Sequence, residues 1–440
     1  MAFPIVIPAV GSQLLLSIYA KLSKEEVNYT CPDYFKPDVT VVIPAKNEAK
    51  RLPYALASLD SQTYELGKVV VVDDGSEDET YEVAKMMKEI TDLDLEVIRR
   101  EKSIGKTPSI KEVARKYNSD NLFVLDADTI LEDDYIEKVR VPHYSDKVAS
   151  SYGIVKSLTK QFKKKYYKEK VEPLFLNSNI DTEKYSENLL FDADEKDGFV
   201  ENLKYYSSKW PVIKFRDGLY AIDQYFTKDS YLRLFDTTLF PIGCGVLYNR
   251  DKLKDVFDEF ESSLGDNLTT SEDIFIGFAF CDKGLRNIQV KDAHMVSTEP
   301  KITKLPKQSA LWGSSFLQSA YYFGDLSKSF RKKKSNPDKK NSKEPLGWCI
   351  FPPLIEKLSY PTSIIALSLI VPRWAAATIG IEYAAYAATS YLSTPKKDRK
   401  GLASSILVSE PIRLASLPID LYIVGKFGLD LMRGKKDWRK

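Results

Sequence analysis

Four short apolar runs, each followed by a helix-forming stretch, constrain this chain more than any other feature. They are Asp38-Val-Thr-Val-Val-Ile-Pro44, Lys68-Val-Val-Val-Val-Asp73, Leu95-Glu-Val-Ile98 and Asn121-Leu-Phe-Val-Leu125. Such valine-rich runs read as strands buried on both faces. Between them, Pro53 suits a first helical turn. Ser76 with Glu79 reads as a capping box. Thr107-Pro108 reads as an N-cap and N1 proline for a helix through Tyr117. The rhythm is βαβαβαβ, which predicts a parallel sheet with right-handed crossovers. Ligands of such sheets sit at the C-terminal ends of the strands.

Carboxylates gather at that edge. The second run enters Asp73-Asp74-Gly75-Ser76, and the fourth ends in Asp126-Ala127-Asp128. Two carboxylates one residue apart at a strand end suit Mg2+ or Mn2+ bound with a diphosphate. Two nucleotide folds are set aside. No Gly-x-Gly-x-x-Gly follows the first strand. Gly105-Lys106 is not a P-loop, because Arg100 stands five positions before Gly105.

The 64 basic and 62 acidic side chains nearly cancel, which argues against bulk nucleic-acid binding. Four scattered cysteines (Cys31, Cys244, Cys281, Cys349) without a Cys-x-x-Cys pair read as reduced thiols in a cytoplasmic setting. With only His143 and His294 in the chain, a histidine-rich metal site is excluded and a general base is expected to be a carboxylate.

Hydropathy divides the chain. Residues 1–37 hold an apolar segment, with no charge over the 18 positions Phe3 to Ala20, and read as a possible membrane anchor. No positive n-region precedes it, so a cleaved signal peptide is not expected. Residues 38–326 form the α/β domain, and 327–346 a lysine-dense linker containing Arg331-Lys-Lys-Lys334 and Lys339-Lys340. Residues 347–440 carry three apolar stretches interrupted by Arg373, Glu382, Glu410, Arg413 and Asp420, with basic clusters at 396–400 and 433–440. They read as a membrane-associated helical region with its basic flanks on the cytoplasmic face; an ordinary apolar helical subdomain is the alternative.

The motifs, taken together, resemble those of a family 2 glycosyltransferase of the GT-A fold. Val42-Ile-Pro-Ala-Lys-Asn-Glu48 resembles the opening segment, and Val71-Val-Asp-Asp-Gly-Ser-Glu-Asp-Glu-Thr80 the second. Gly105-Lys106 and Leu125-Asp-Ala-Asp-Thr129 follow in order. Gly243-Cys-Gly245 with Asn249-Arg250 is similar to an acceptor-side segment, and Thr270-Ser-Glu-Asp-Ile274 to the Thr-Glu-Asp segment. Gln308-Ser-Ala-Leu-Trp312 resembles QxxRW, except that Leu311 replaces the arginine that helps hold the nucleotide diphosphate in polysaccharide synthases of this type. The resemblance covers roughly residues 38–320. About 114 residues separate Asp128 from Gly243, so 160–235 reads as an insertion, either solvated or shaping the acceptor site.

The resemblance implies a Rossmann-like, mostly parallel sheet flanked by helices, and an inverting, metal-dependent transferase. It places Pro44, Ala45, Asn47, Glu48 and Asp74 in the nucleotide pocket, with Asp73 beside them. Glu48 and the Asp73/Asp74 pair can accept hydrogen bonds from uracil or ribose; support of the next helix is the other reading of these aspartates. Lys106 and Gln308 are donor contacts, Asp126 meets sugar or ribose, and Asp128 holds the cation. His294 is either a further metal ligand or a satisfied core histidine. Asp273 is the catalytic base, with Glu272 beside it at a helix start. Gly243, Cys244, Gly245 and Trp312 face the acceptor, where an aromatic ring can floor a sugar.

The expected reaction moves a sugar from a nucleotide-sugar donor, a UDP-sugar first, to a glycan or lipid-linked acceptor, with membrane lipids as further partners. The alternatives are a polyprenyl-phosphate glycosyltransferase, a nucleotidyltransferase, and a silent membrane or assembly protein keeping the fold.

Overall fold

The computed structural model describes residues 11–176, 190–192, 195–264, 271–331 and 344–434. The charge-free start before Gly11, the centre of the lysine-dense linker, Thr270 and the last six residues lie outside them.

Eight strands form one sheet: β1 (Val39–Ala45), β2 (Val69–Asp73), β3 (Leu95–Arg99), β4 (Asn121–Leu125), β5 (Thr129–Leu131), β6 (Val148–Ser157), β7 (Gly245–Asn249) and β8 (Arg286–Ser297). Their order is β3-β2-β1-β4-β7-β6-β8-β5. The first four strands are parallel, as the valine-rich runs require. Beyond β4 the sheet is mixed. β7 runs antiparallel between β4 and β6, β6 is parallel to β8, and β5 closes the edge antiparallel to β8.

Side-chain alternation splits the core in two. Val41, Ile43, Val69, Val71, Phe123 and Leu125 pack on one face. Val42, Val70, Val72, Leu122 and Val124 pack on the other. Burial on both faces is why these runs carry almost no polar residue.

Ten helices matter here. They are α1 (Gly11–Ser23), α2 (Leu52–Asp60), α3 (Thr80–Ile90), α4 (Lys106–Lys116), α5 (Trp210–Ile222), α6 (Glu272–Asp282), α7 (Leu305–Tyr322), α8 (Gly347–Ile370), α9 (Pro372–Ser393) and α10 (Leu402–Met432).

Two helix starts differ from expectation. The Ser76–Glu79 capping box does not form: Glu79 itself stands at the N-cap of α3, and its side chain does not cap the helix. Ser76 Oγ instead accepts the Asn47 N–H at 2.9 Å, and Asp78 Oδ1 accepts the Thr80 N–H at 3.0 Å. Tying the neighbouring loop competes with capping, and here it wins. Helix α4 begins at Lys106, not after a Thr107 N-cap; its N-cap is Gly105, at φ 103°. Pro108 still lies in the first turn, where its missing N–H costs nothing.

The stretch 160–235, where described, is mostly helix. The Gln224 amide bonds both backbone groups of Val155 in β6, at 2.8 and 2.9 Å. Val212, Ile213 and Arg216 of α5 are buried. Among the described residues, α10 alone is long and apolar enough to cross a membrane, by length and composition.

Candidate active site

The site lies at the C-terminal ends of β1, β2 and β4, where sheet register stacks the predicted loops. Ala45 pairs with Asp73 and Leu125 with Gly245. The loop after β1 is locked to the loop after β2. Asn47 takes φ 58°, a left-handed conformation asparagine tolerates, and its Oδ1 accepts the Glu77 N–H at 2.9 Å.

Asp73 is fully buried. Its Oδ1 accepts the Ser76 N–H at 3.1 Å, while Oδ2 lies 3.9 Å from Arg99 Nε without a hydrogen bond. Asp74 is committed to the loop before α4. It accepts from Arg100 Nη1 (3.0 Å), Ser103 Oγ (2.6 Å), the Ile104 N–H (3.0 Å) and the Gly105 N–H (2.8 Å). Burial opposes its charge, yet these donors pull its pKa down to about 2. Four donors fill a carboxylate, so Asp74 orders the loop that presents Lys106.

Lys106 joins the end of β4 to the glycine loop and the start of α6. Its Nζ lies 2.7 Å from Asp126 Oδ1, 2.8 Å from Glu272 Oε1 and 3.2 Å from the Gly243 carbonyl. Burial disfavours the ammonium, but the two carboxylates outweigh it and hold its pKa well above the usual lysine value. Lys106 is therefore cationic at any working pH.

Asp128 lies among carboxylates that outweigh its cationic neighbour. Burial, then Asp126 and Glu48, push its pKa up to about 7, with Arg51 as the opposing charge. Glu48 is itself raised by burial against Arg51, whose Nη1 it binds at 2.8 Å. Among the described residues no three His, Cys, Asp or Glu side chains converge as a metal cage. A hard cation held by one or two carboxylates plus diphosphate oxygens needs none. A half-buried carboxyl pushed up by desolvation and by its acidic neighbours is the group such a cation would relieve.

Asp273 sits in the first turn of α6. Its Oδ2 accepts the Gly243 N–H at 3.0 Å, and Oδ1 accepts from Ser271 Oγ at 2.5 Å. Burial and Glu272 raise its pKa, which suits a base that must hold a proton. A Cβ on Gly243 would lie 2.7 Å from Asp273 Oδ2 and 2.9 Å from its Cγ. Gly243→Ala is therefore expected to displace the carboxylate and lower kcat by about 100-fold with little change in thermal unfolding. Steady-state kinetics beside a melting curve checks this. Next to it, burial keeps the Cys244 thiol protonated, so the loop offers backbone and not a nucleophilic sulfur. The Gly245 carbonyl is taken by Tyr135 Oη at 2.8 Å.

His294 is not brought to Asp128. Its Nδ1 lies 3.2 Å from Glu132 Oε2 and 3.1 Å from the Asp292 carbonyl, and its Nε2 is 3.9 Å from Asp398. Gln308 and Trp312 do meet, one turn apart on α7. Both contact Arg216: Nη2 donates to Gln308 Oε1 at 2.8 Å, and the guanidinium lies 4.3 Å from the Trp312 ring centroid.

Against this geometry, residues 40–257 match the sequence model of glycosyl transferase family 2. The sheet domain of this chain belongs to that family. An O-antigen chain rhamnosyltransferase, RfbN, of Salmonella typhimurium is 31% identical over 108 residues, 24% of this chain and 33% of that protein. This chain thus matches about a third of that relative's own length. An N-acetylglucosaminyltransferase of Rhizobium leguminosarum bv. trifolii is 25% identical over 128 residues, 28% of this chain and 70% of that protein. A mannosyltransferase from Pyrobaculum calidifontis, solved in complex with GDP-Man and Mn2+, superposes with a TM-score of 0.51 over 96% of each chain, at 18% identity. That likeness establishes the GT-A fold.

In this family 2 domain the sequence reading missed three residues. Arg51 follows the first motif and neutralises Glu48; its spacing of three along the chain was the available signal. Glu299 is buried, with Ser157 Oγ at 3.1 Å and Arg216 Nε at 3.6 Å; burial, opposed by Arg216, pushes its pKa up to about 7. Arg216 itself, 2% exposed, comes from α5. It brings to Gln308 and Trp312 the guanidinium that Leu311 does not supply, and nothing local in the sequence marks it. Arg216→Met would leave Glu299 buried without its cation. It is expected to destabilise the fold by about 3 kcal/mol, with Arg216→Lys recovering part of the loss, read by urea unfolding.

Proposed function

We propose that this protein is a metal-dependent inverting glycosyltransferase that moves a sugar from a nucleotide-sugar donor, a UDP-sugar in the first instance, to a glycan or lipid-linked acceptor at a membrane. The observation that carries the reading is one edge holding two raised carboxyls with different surroundings, Asp128 among carboxylates and Asp273 beside the glycine loop. Pairs of this kind divide a binding role from a base role. The two matched relatives, named as a rhamnosyltransferase and an N-acetylglucosaminyltransferase, support sugar transfer.

Asp273 takes the proton of the acceptor hydroxyl as its oxygen bonds the anomeric carbon and the carbon–diphosphate bond breaks on the opposite side. The Gly243 N–H and Ser271 hydroxyl aim the carboxylate. Lys106 balances Asp126 and Glu272 and keeps the floor of the site closed. A Mg2+ or Mn2+ ion beside Asp128 would neutralise charge growing on the diphosphate. A phosphate acceptor needs less base assistance, so the half-buried Asp273, its pKa raised, favours a hydroxyl acceptor over the polyprenyl-phosphate reading. A cytoplasmic catalytic domain is part of the proposal; the basic cluster Lys396, Lys397 and Lys400, whose neighbour Asp398 pairs with Lys156 of the sheet domain at 2.5 Å, supports it.

Calorimetry with UDP, GDP and other nucleoside diphosphates, with and without Mn2+, tests the proposal. Metal-dependent binding of one of them is expected. Failure of all to bind under any metal condition overturns it.

A further inference from the structure

The C-terminal helices bury charged and hydroxyl side chains beside their apolar contacts and turn large apolar side chains outward. Glu382 and Glu410 are 4% and 3% exposed, whereas Leu369 and Ile370 are 81% and 77% exposed. Arg413 Nη2 reaches Glu382 Oε1 at 2.7 Å and Glu410 Oε1 at 2.6 Å, and Lys357 pairs with Asp420 at 2.9 Å. Ser390, Ser405 and Ser409 also point inward. On α8, exposed Trp348, Phe351, Ile355, Leu358, Ile365 and Leu369 form one stripe of about 30 Å. In water this pattern is inverted. In hydrocarbon it is the expected one, since polar groups there must find partners within the protein. A protein partner covers one flat patch. Apolar residues also face outward from the other two helices (Ile381 and Leu392 of α9, Leu407 and Leu429 of α10), and basic Lys396, Lys397, Lys400 and Arg433 lie at helix ends, which fits a lipid surface with anionic headgroups.

The same helices stay on the sheet domain along most of their length. Ser409 of α10 sits against Gly218 of α5, where a Cβ would come within 2.0 Å of its Oγ. Further along, Ile423 packs against Gly313 of α7, and Phe427 lies 6.2 Å from Tyr321. A crossing needs about 20 residues in hydrocarbon. Of the 31 residues of α10, only Gly428–Met432 lie beyond that last contact. Helix α8 begins in the domain core at Cys349 and Ile350, and its Tyr360 and Ile364 pack on Leu417 of α10. Helix α9 returns to Ala221 and Ile222 of α5 through Tyr386. The α8–α9 turn, with Leu369, Ile370, Val371 and Trp374, is the part left free.

We propose that this chain is held by a single bilayer leaflet. Helices α8 to α10 lie in its plane, the Leu369–Trp374 turn goes deepest with the exposed Arg373 reaching back to the headgroups, and α10 does not cross. The inference deepens the membrane part of the function proposed above. It needs no turnover, so a chain that binds vesicles without transferring sugar leaves it standing.

The test uses full-length protein and vesicles of phosphatidylcholine with and without phosphatidylglycerol. Flotation is expected, stronger with the anionic lipid. A polarity-sensitive fluorophore on Ile370→Cys should shift to the blue on vesicle binding. Leu369→Glu/Ile370→Glu should float at least tenfold less while unfolding at the wild-type temperature. Added vesicle-outside, a membrane-impermeant maleimide should modify both Lys400→Cys and Met432→Cys above the wild-type background. Protection of Met432→Cys until detergent is added means that α10 spans, and overturns the proposal. So does an absence of flotation with either vesicle, or a double-glutamate variant that floats like wild type.

Discussion

Asp273→Asn is expected to lower kcat by about 1000-fold, the central part of the range for a lost general base, with KM for the donor nearly unchanged. Asparagine keeps the shape and can still accept the Gly243 N–H, which Asp273 Oδ2 receives at 3.0 Å. What it loses is a basic oxygen. The pH profile separates this role from a structural one. Burial and Glu272 raise the Asp273 pKa, so wild-type kcat should fall on the acid side at a pH above the ordinary carboxylate range. That limb should vanish in the variant. An unchanged rate, or a retained acid limb, would remove Asp273 from the chemistry and move weight to a phosphate acceptor.

Asp128→Ala is expected to abolish metal-dependent binding of the nucleoside diphosphate while leaving the fold intact or slightly more stable. The direction follows from its pKa of about 7. Between about pH 4 and 7 the unfolded chain ionises this carboxyl and the folded chain keeps it protonated, so folding stability declines across that window. Alanine removes the penalty. Metal binding displaces the same proton, so apparent affinity for Mn2+ should rise about tenfold per pH unit up to about 7 and level off above it. Calorimetry across pH measures the affinity, and thermal shifts with and without Mn2+ measure the linked stability. A pH-independent affinity would place the cation elsewhere.

Much of the site was legible because its signals are local. Asp126 and Asp128 follow an apolar run, Asp273 opens a helix, and Lys106 follows a glycine held at positive φ. Each reading needs only a few neighbouring residues. Distant partners decided how other local signals were used. Ser76 has the composition of a cap, yet Asn47 takes its hydroxyl. Asp74 has the composition of a ligand contact, yet loop 100–105 fills both of its oxygens. Leu311 looked like a missing charge, yet Arg216 arrives from a helix nearly a hundred positions earlier.

The parallel half of the sheet and its carboxylate edge were decided by residue order alone, because strand burial, helix starts and tight turns depend on neighbours along the chain. Tertiary structure decided which charges meet. Arg51 reaches Glu48, Lys106 bridges Asp126 and Glu272, and Glu299 faces Arg216. It also decided which way the C-terminal helices turn their polar faces. Coulomb energy and burial depend on distance through space, and folding brings together residues that the chain keeps far apart.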